Sequence, residues 1–269
     1  MKEAPLNLTA LGKTDQGQVR ANNEDNFFVD EKLGLLVVAD GMGGHASGET
    51  ASKLAVNVMR DYFQGSRQVI GQYNSSYSEV TNRLNSAVHL ANMAVFEAAQ
   101  SSPQLKGMGT TIAAVCLNGN QLSIAHIGDS RVYLLRSGNI DQLTDDHSLV
   151  QEQVKRELIT KEDAANSEMK NVLTRALGVS ADTEAALDEL TLFDGDILLL
   201  CSDGLYNMIP DETMLDIVTL AGSASAACDA LINTANENGG KDNITVVLGY
   251  IEKNKWYSAL LKFVESFRR

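Results

Sequence analysis

Residues Thr110 to Leu143 read TTIAAVCLNGNQLSIAHIGDSRVYLLRSGNIDQL. Four strand-like runs follow one another closely: Thr110 to Leu117, Gln121 to Ile127, Arg131 to Arg136 and Asn139 to Leu143. Asn118-Gly119 and Ser137-Gly138 supply the residues that tight hairpins need. A second block of strands is read at Leu6 to Thr14, Asn26 to Asp30 and Leu33 to Ala39. Strands return at Ala185 to Leu190, Asp196 to Cys201 and Ile244 to Ile251. Helices are expected from Ser47 to about Phe63, Glu79 to Ala99, Thr213 to Leu220 and Ser223 to Glu237. Strands and helices come in groups and do not alternate as β-α-β-α. That pattern favours antiparallel sheets covered by helices, an α+β fold, over a parallel doubly wound sheet. Residues 147–173 are polar, charged and helix-prone, and are read as a small helical flap.

The chain has 269 residues and 44% apolar content, enough for one large domain with a real core. Its net charge of −13 argues against a general nucleic-acid binder. Residues 252–269 reverse the sign, with five Lys/Arg against two Asp/Glu. Trp256, Leu260, Phe263 and Phe267 share one helical face there. This amphipathic basic tail is expected to dock on the acidic body rather than on a membrane. Cys116, Cys201 and Cys228 are far apart and read as buried free thiols. With no signal peptide, they point to a reducing, cytoplasmic setting. No apolar run approaches the ~18 residues that span a bilayer.

Aspartate marks the ends of the apolar runs. Leu35 to Ala39 runs into Asp40-Gly41, Leu122 to Ile127 into Gly128-Asp129, and Ile197 to Cys201 into Ser202-Asp203-Gly204. Asp242-Asn243 precedes the last strand. Asp is a poor strand residue and is costly to bury unpaired. A pool of carboxylates at one end of a sheet system calls for hard cations such as Mg²⁺, Mn²⁺ or Ca²⁺. Taken singly, an ordinary Asp-Gly turn accounts for each motif better than a metal site does. Asp40 to Ala46 also fits G-x-G-x-x-G/A, but Asp40 would sit where a pyrophosphate belongs, so the nucleotide reading is rejected. Position six after Cys116, Cys201 and Cys228 is Leu122, Asn207 and Thr234, which excludes the C-x₅-R cysteine-phosphatase motif. Asp194-Gly195-Asp196 precedes its strand and reads as a turn. His45, His89, His126 and His147 lack zinc-ligand spacing. Arg20 offers a planar fork matched to phosphate, and Glu24 and Asp25 stand close by in sequence.

Six motifs occur together: Arg20…Asn23-Glu24-Asp25, Val38 to His45, Gly109-Thr110-Thr111, Gly128 to Arg131, Ser202 to Leu205, and Asp242 to Thr245. In this order and spacing the chain resembles the metal-dependent protein phosphatases of the protein phosphatase 2C type, in their compact bacterial form, over about residues 6–251. The resemblance implies a four-layer α-β-β-α sandwich of two antiparallel sheets flanked by helices. It implies hydrolysis of phosphoserine and phosphothreonine in proteins by a metal-activated water, with no covalent phosphoenzyme. Asp40, Asp203 and Asp242 look like ligands of a first Mn²⁺ or Mg²⁺, and Asp40 with the Gly41 carbonyl like ligands of a second. Asp129 with Asp203 resembles a third-metal site. Glu24 and Asp25 look like water-mediated partners, and Arg20 like the phosphate clamp. The expected partners are phosphorylated proteins and a cognate kinase, and the phosphatase itself is expected to be a monomer. Met42 stands where animal members carry a proposed proton-donating His, so the general acid is unassigned. Two alternatives stay open: a non-catalytic phosphopeptide-binding module, and a phosphatase dedicated to one regulator.

Overall fold

The structure, a computed structural model, describes residues 6–43, 46–65, 68–71 and 73–253. In chain order the elements are β1 (Leu6–Asp15), β2 (Asp25–Asp30), β3 (Leu35–Met42), α1 (Ala46–Gly65), α2 (Glu79–Ser101), β4 (Gly109–Thr110), β5 (Ile112–Asn118), β6 (Gln121–Ile127), β7 (Arg131–Arg136), β8 (Asn139–Gln142), α3 (Leu149–Lys155), α4 (Lys161–Ala165), β9 (Ala186–Thr191), β10 (Ile197–Cys201), α5 (Asp203–Tyr206), α6 (Asp211–Leu220), α7 (Ala224–Glu237) and β11 (Ile244–Lys253). Two sheets form, in the orders β1-β11-β10-β7-β8 and β2-β3-β5-β6-β9, with β4 added beside β3. Every strand pairing is antiparallel.

The central strands are apolar on both faces because both faces are covered. In β3, Leu35, Val37 and Ala39 pack with buried residues of α1 and α2, while Leu36 and Val38 face the core between the sheets. In β10, Leu199 and Cys201 pack with α6 and α7, while Leu198 and Leu200 join the same central core. In β11, Val246 and Leu248 divide from Val247 in the same manner. The period-2 pattern of a strand thus feeds two different cores. The result is the four-layer α-β-β-α sandwich.

Turn chemistry fixes the register of the hairpins. Ser137 and Gly138 both take positive φ, at 53° and 78°, the type I′ geometry that suits a two-residue loop. The β5–β6 loop falls one residue later than expected. Asn118 pairs with Gln121, so the turn residues are Gly119 and Asn120, and Gly119 supplies the positive φ of 66°.

Residues 147–173 form α3 and α4, with an isolated bridge between Ser148 and Leu173 as their β-contact. The last strand runs two residues beyond its expected end. Lys253 pairs with Leu6 and Glu252 with Asn7, because β1 is long enough to hold both. The remainder of the basic tail and His45 lie outside the described residues.

Antiparallel pairing gathers one set of strand ends. The C-terminal ends of β1, β3, β6 and β10 and the N-terminal ends of β2, β5, β7 and β11 lie together. The aspartates of all four strand-end motifs therefore meet at one edge of the sandwich.

Candidate functional site

A cleft of ≈ 420 Å³ opens at that edge, lined by Arg20, Glu24, Asp40, Gly41, Asp129, Asp203 and Asp242 among others. Asp25 lies directly beneath, as the register partner of Asp40 across β2 and β3. It is a strand residue, 4% exposed, one position before the expected start of its strand at Asn26. β3 also runs past Asp40, because β4 pairs with Gly41 and Met42. Asp40 thus projects from inside a strand held on both sides.

Uncharged side chains fix the carboxylates. Asp25 Oδ2 accepts from Ser202 Oγ and Thr245 Oγ1, each at 2.7 Å. Thr111 Oγ1 accepts from the Asp40 backbone N–H at 2.9 Å and lies 2.6 Å from Ser130 Oγ. Thr111 therefore ties Asp40 to the loop that carries Asp129. The Asp129 carbonyl accepts from Tyr206 Oη at 3.1 Å, and the Tyr206 ring lies under the Arg131 guanidinium at 3.5 Å. Asn243 braces the opposite wall. Its amide donates to the carbonyls of Gln16 and Asn22, and its oxygen accepts from the Glu24 N–H. Motif reading singled out several of these residues without disclosing what they hold.

Glycine is required at two positions. A Cβ on Gly41 would stand 2.6 Å from the Glu24 carbonyl oxygen, and closer still to that of Gly48. One on Gly204 would stand 2.8 Å from the Asn243 carbonyl carbon. The backbone around Asp40 and Asp203 is packed against other backbone with no room for a side chain.

The electrostatics are unfavourable for an uncompensated cluster. Desolvation, then the charges of Asp25, Asp203, Asp129 and Asp242, hold the Asp40 carboxyl well above its ordinary range. Desolvation followed by Asp129, Asp242 and Asp25 does the same to Asp203. Burial raises Asp25 to about 6 against the help of its two hydroxyl donors. Burial, with Asp146 next, raises Asp129 to about 6. Arg20 answers part of this field: its Nη2 lies 2.6 Å from Asp242 Oδ2.

Two oxygens decide whether a cation fits. Asp25 Oδ1 and Asp203 Oδ1 are buried and have no hydrogen-bond partner among the described residues. Orphaned buried carboxylate oxygens are costly, and an oxygen-rich set of this kind suits a hard divalent ion. The described side chains are not drawn into a preassembled cage of three or more ligands. Asp242 is held by Arg20 through Oδ2 and by the Asn243 N–H through Oδ1.

A larger cavity of ≈ 550 Å³ lies beyond Arg175, which lines both spaces. It is lined by His126, His147, Asp145 and Lys155 and touches neither Asp25 nor the four aspartates of the cleft. Burial, with the nearby charges of His126 and Arg175, pushes His147 down to about 3. The three cysteines line neither space. All are buried, and burial raises Cys116 to about 12, Cys228 to about 11 and Cys201 higher again. None is available as a thiolate nucleophile near neutral pH.

The chain as a whole has known relatives. A family model described as Protein phosphatase 2C matches residues 15–249. The chain is 41% identical over 245 residues to the serine/threonine phosphatase stp of Listeria welshimeri, covering 90% of this chain and 94% of that one. It is 38% identical over 238 residues to the protein phosphatase PhpP of Streptococcus pneumoniae, covering 87% and 94% respectively. The crystal structure of the Mycobacterium tuberculosis serine/threonine phosphatase PstP/Ppp superposes with a TM-score of 0.82 at 37% identity, covering 91% of this chain and 99% of that one. The catalytic domain of PstP in complex with two manganese ions superposes at 0.81 and 37% identity, covering 92% of this chain and 100% of that one.

Proposed function

The chain belongs to the protein phosphatase 2C family, and from that premise we propose that its aspartate cleft hydrolyses phosphoserine and phosphothreonine in proteins. The observation that carries this is the meeting of Asp25, Asp40, Asp129, Asp203 and Asp242 at one edge, with two carboxylate oxygens left unpartnered. Asp40, Asp203, Asp242 and the Gly41 carbonyl would hold two Mn²⁺ or Mg²⁺ ions, and Asp129 with Asp203 a third. Glu24 and Asp25 act behind them, through water or through the ligands they orient. Bound divalent ions supply Lewis-acid charge and an activated water as nucleophile.

The chain's own residues set the geometry. Ser202 and Thr245 keep Asp25 fixed behind Asp40. Thr111 holds the backbone of Asp40. Arg20 is half exposed at the rim, where its fork can leave Asp242 for the phosphoryl oxygens of a substrate. The attack needs no protein nucleophile, in keeping with three buried thiols of raised pKa. Met42 lies in the cleft and carries no proton to give.

Residues 171–176, at the end of the flap and just beyond it, wall the cleft through Asn171, Thr174 and Arg175. We place the control of substrate choice in this segment. The setting we infer is a cytoplasmic monomer that opposes a protein kinase. No helix among the described residues is long and apolar enough to cross a membrane. The test is release of phosphate from a phosphothreonine peptide, with and without Mn²⁺, by the wild type and Asp203→Asn. Mn²⁺-dependent turnover that disappears in the variant supports the proposal. Turnover that persists with a chelator, or in Asp203→Asn, overturns it.

A further inference from the structure

His147 lies outside the carboxylate set, yet it grips the loop that presents Asp129. Its backbone N–H donates to the Gly128 carbonyl at 2.9 Å. Its ring Nδ1 accepts from the Gly128 N–H at 3.1 Å. Both backbone polar groups of Gly128 thus engage one residue. Gly128 takes a left-handed φ of 99°, which glycine adopts freely, and with no side chain to pack it is held through these backbone groups. A Cβ there would stand 2.6 Å from Thr111 Cγ2.

The ring is itself held. It stacks on His126 with centroids 4.7 Å apart and an interplanar angle of 18°. His126 Nε2 lies 2.9 Å from the Asp145 carbonyl oxygen. With Nδ1 acting as acceptor, the proton of the neutral His147 ring sits on Nε2. The His147 carbonyl accepts from the Thr174 N–H at 2.8 Å. The same residue therefore anchors the strand of chain that walls the cleft beside Arg175.

We propose that His147 is a positioning residue that aims Asp129 at a divalent cation by gripping Gly128 through both its backbone and its ring. The proposal rests on Asp129 being a metal ligand. A carboxylate moved off its productive position holds its ion less tightly, and removal of a residue that orients a ligand costs about 10–100-fold in metal affinity.

The test is a Mn²⁺ titration of the full chain, read as ions bound per chain and the affinity of each. The variants are Asp129→Asn, His147→Ala and His147→Asn, the last keeping an oxygen acceptor near the position of Nδ1. Asp129→Asn should lose one ion. His147→Ala should weaken that same ion by about tenfold or more and leave the others unchanged. His147→Asn should restore most of the loss. An unchanged isotherm for His147→Ala, or equal loss in the Ala and Asn variants, overturns the proposal. If Asp129→Asn leaves the isotherm unchanged, the ligand role of Asp129 falls and this role of His147 with it. If instead Asp129→Asn loses an ion and His147→Ala does not, the role of His147 alone falls. Should His147→Ala fail to fold, hydrogen exchange at the Gly128 amide of the wild type carries the test: strong protection supports the grip, and rapid exchange overturns it.

Discussion

Gly41→Ala puts a methyl group where two backbone segments already meet. The nearest atoms would be the carbonyl of Gly48, in the first turns of α1, and that of Glu24, at 2.6 Å. Neither is a side chain, so no rotamer change relieves the overlap. Carbon and oxygen rest at about 3.3–3.6 Å, so β3 and α1 must part by about 1 Å. Overpacking in a tight interior costs about 1–3 kcal/mol, and rigid neighbours on two sides place this change at the upper end. A loss of about 3 kcal/mol corresponds to about 6–12 °C in Tm for a chain of this size. The same movement carries the Gly41 carbonyl and Asp40 away from their positions, so added Mn²⁺ should no longer raise Tm. Gly65→Ala is the control. It lies at the end of α1 with nothing within 4 Å of its added Cβ, and its Tm should match or exceed the wild type. The assay is differential scanning calorimetry with EDTA and with Mn²⁺. A Gly41→Ala protein that melts within about 2 °C of wild type, and still gains stability from Mn²⁺, would refute the packing argument.

Three further outcomes are expected. Asp203→Asn removes a carboxylate that burial and like charges oppose, so without metal it should melt above the wild type near neutral pH, while phosphate release is lost; a lower Tm contradicts the electrostatic account. The folded protein binds protons at Asp25 and Asp129 with pKa values of about 6, above the ~3.9 of a free Asp. Their contribution to stability is therefore complete below about pH 4 and lost as pH rises through about 6. Stabilisation by Mn²⁺ should accordingly grow between about pH 5 and about pH 7.5, and a gain that shrinks over that range in calorimetry speaks against it. Arg20→Ala should raise KM for a phosphopeptide about tenfold or more, with a smaller effect on kcat. Arg20→Lys should recover only part of it, because an ammonium lacks the fork; an unchanged KM in steady-state kinetics removes Arg20 from phosphate binding.

The sandwich was legible because its signals are local. Apolar runs of five or six residues, the Ser137-Gly138 pair and the grouping of helices each speak from within a short window. Asp40, Asp129, Asp203 and Asp242 stood out for the same reason, as poor strand residues set against apolar strands. Asp25 was harder to place, since only the pairing of β2 with β3 sets it opposite Asp40. The braces are harder still. Asn243 reaches carbonyls more than 200 positions earlier in the chain, and Thr245 reaches Asp25 across the two sheets. A single Thr or Asn carries no sequence mark of such a partner. β4 and α5, at two and four residues, are too short for any periodicity to register. The pairing of Arg20 with Asp242 likewise depends on the closure of β1 against β11.

The central claim is that the carboxylate edge of the sandwich is a metal centre. Crystals grown with Mn²⁺ and measured for its anomalous scattering test it most directly. Peaks are predicted within bonding distance of Asp40, Asp203, Asp242 and the Gly41 carbonyl, with Arg20 turned away from Asp242. Saturating Mn²⁺ with no peak in this cleft, or with peaks only at sites such as the cavity of His126 and His147, would contradict the account.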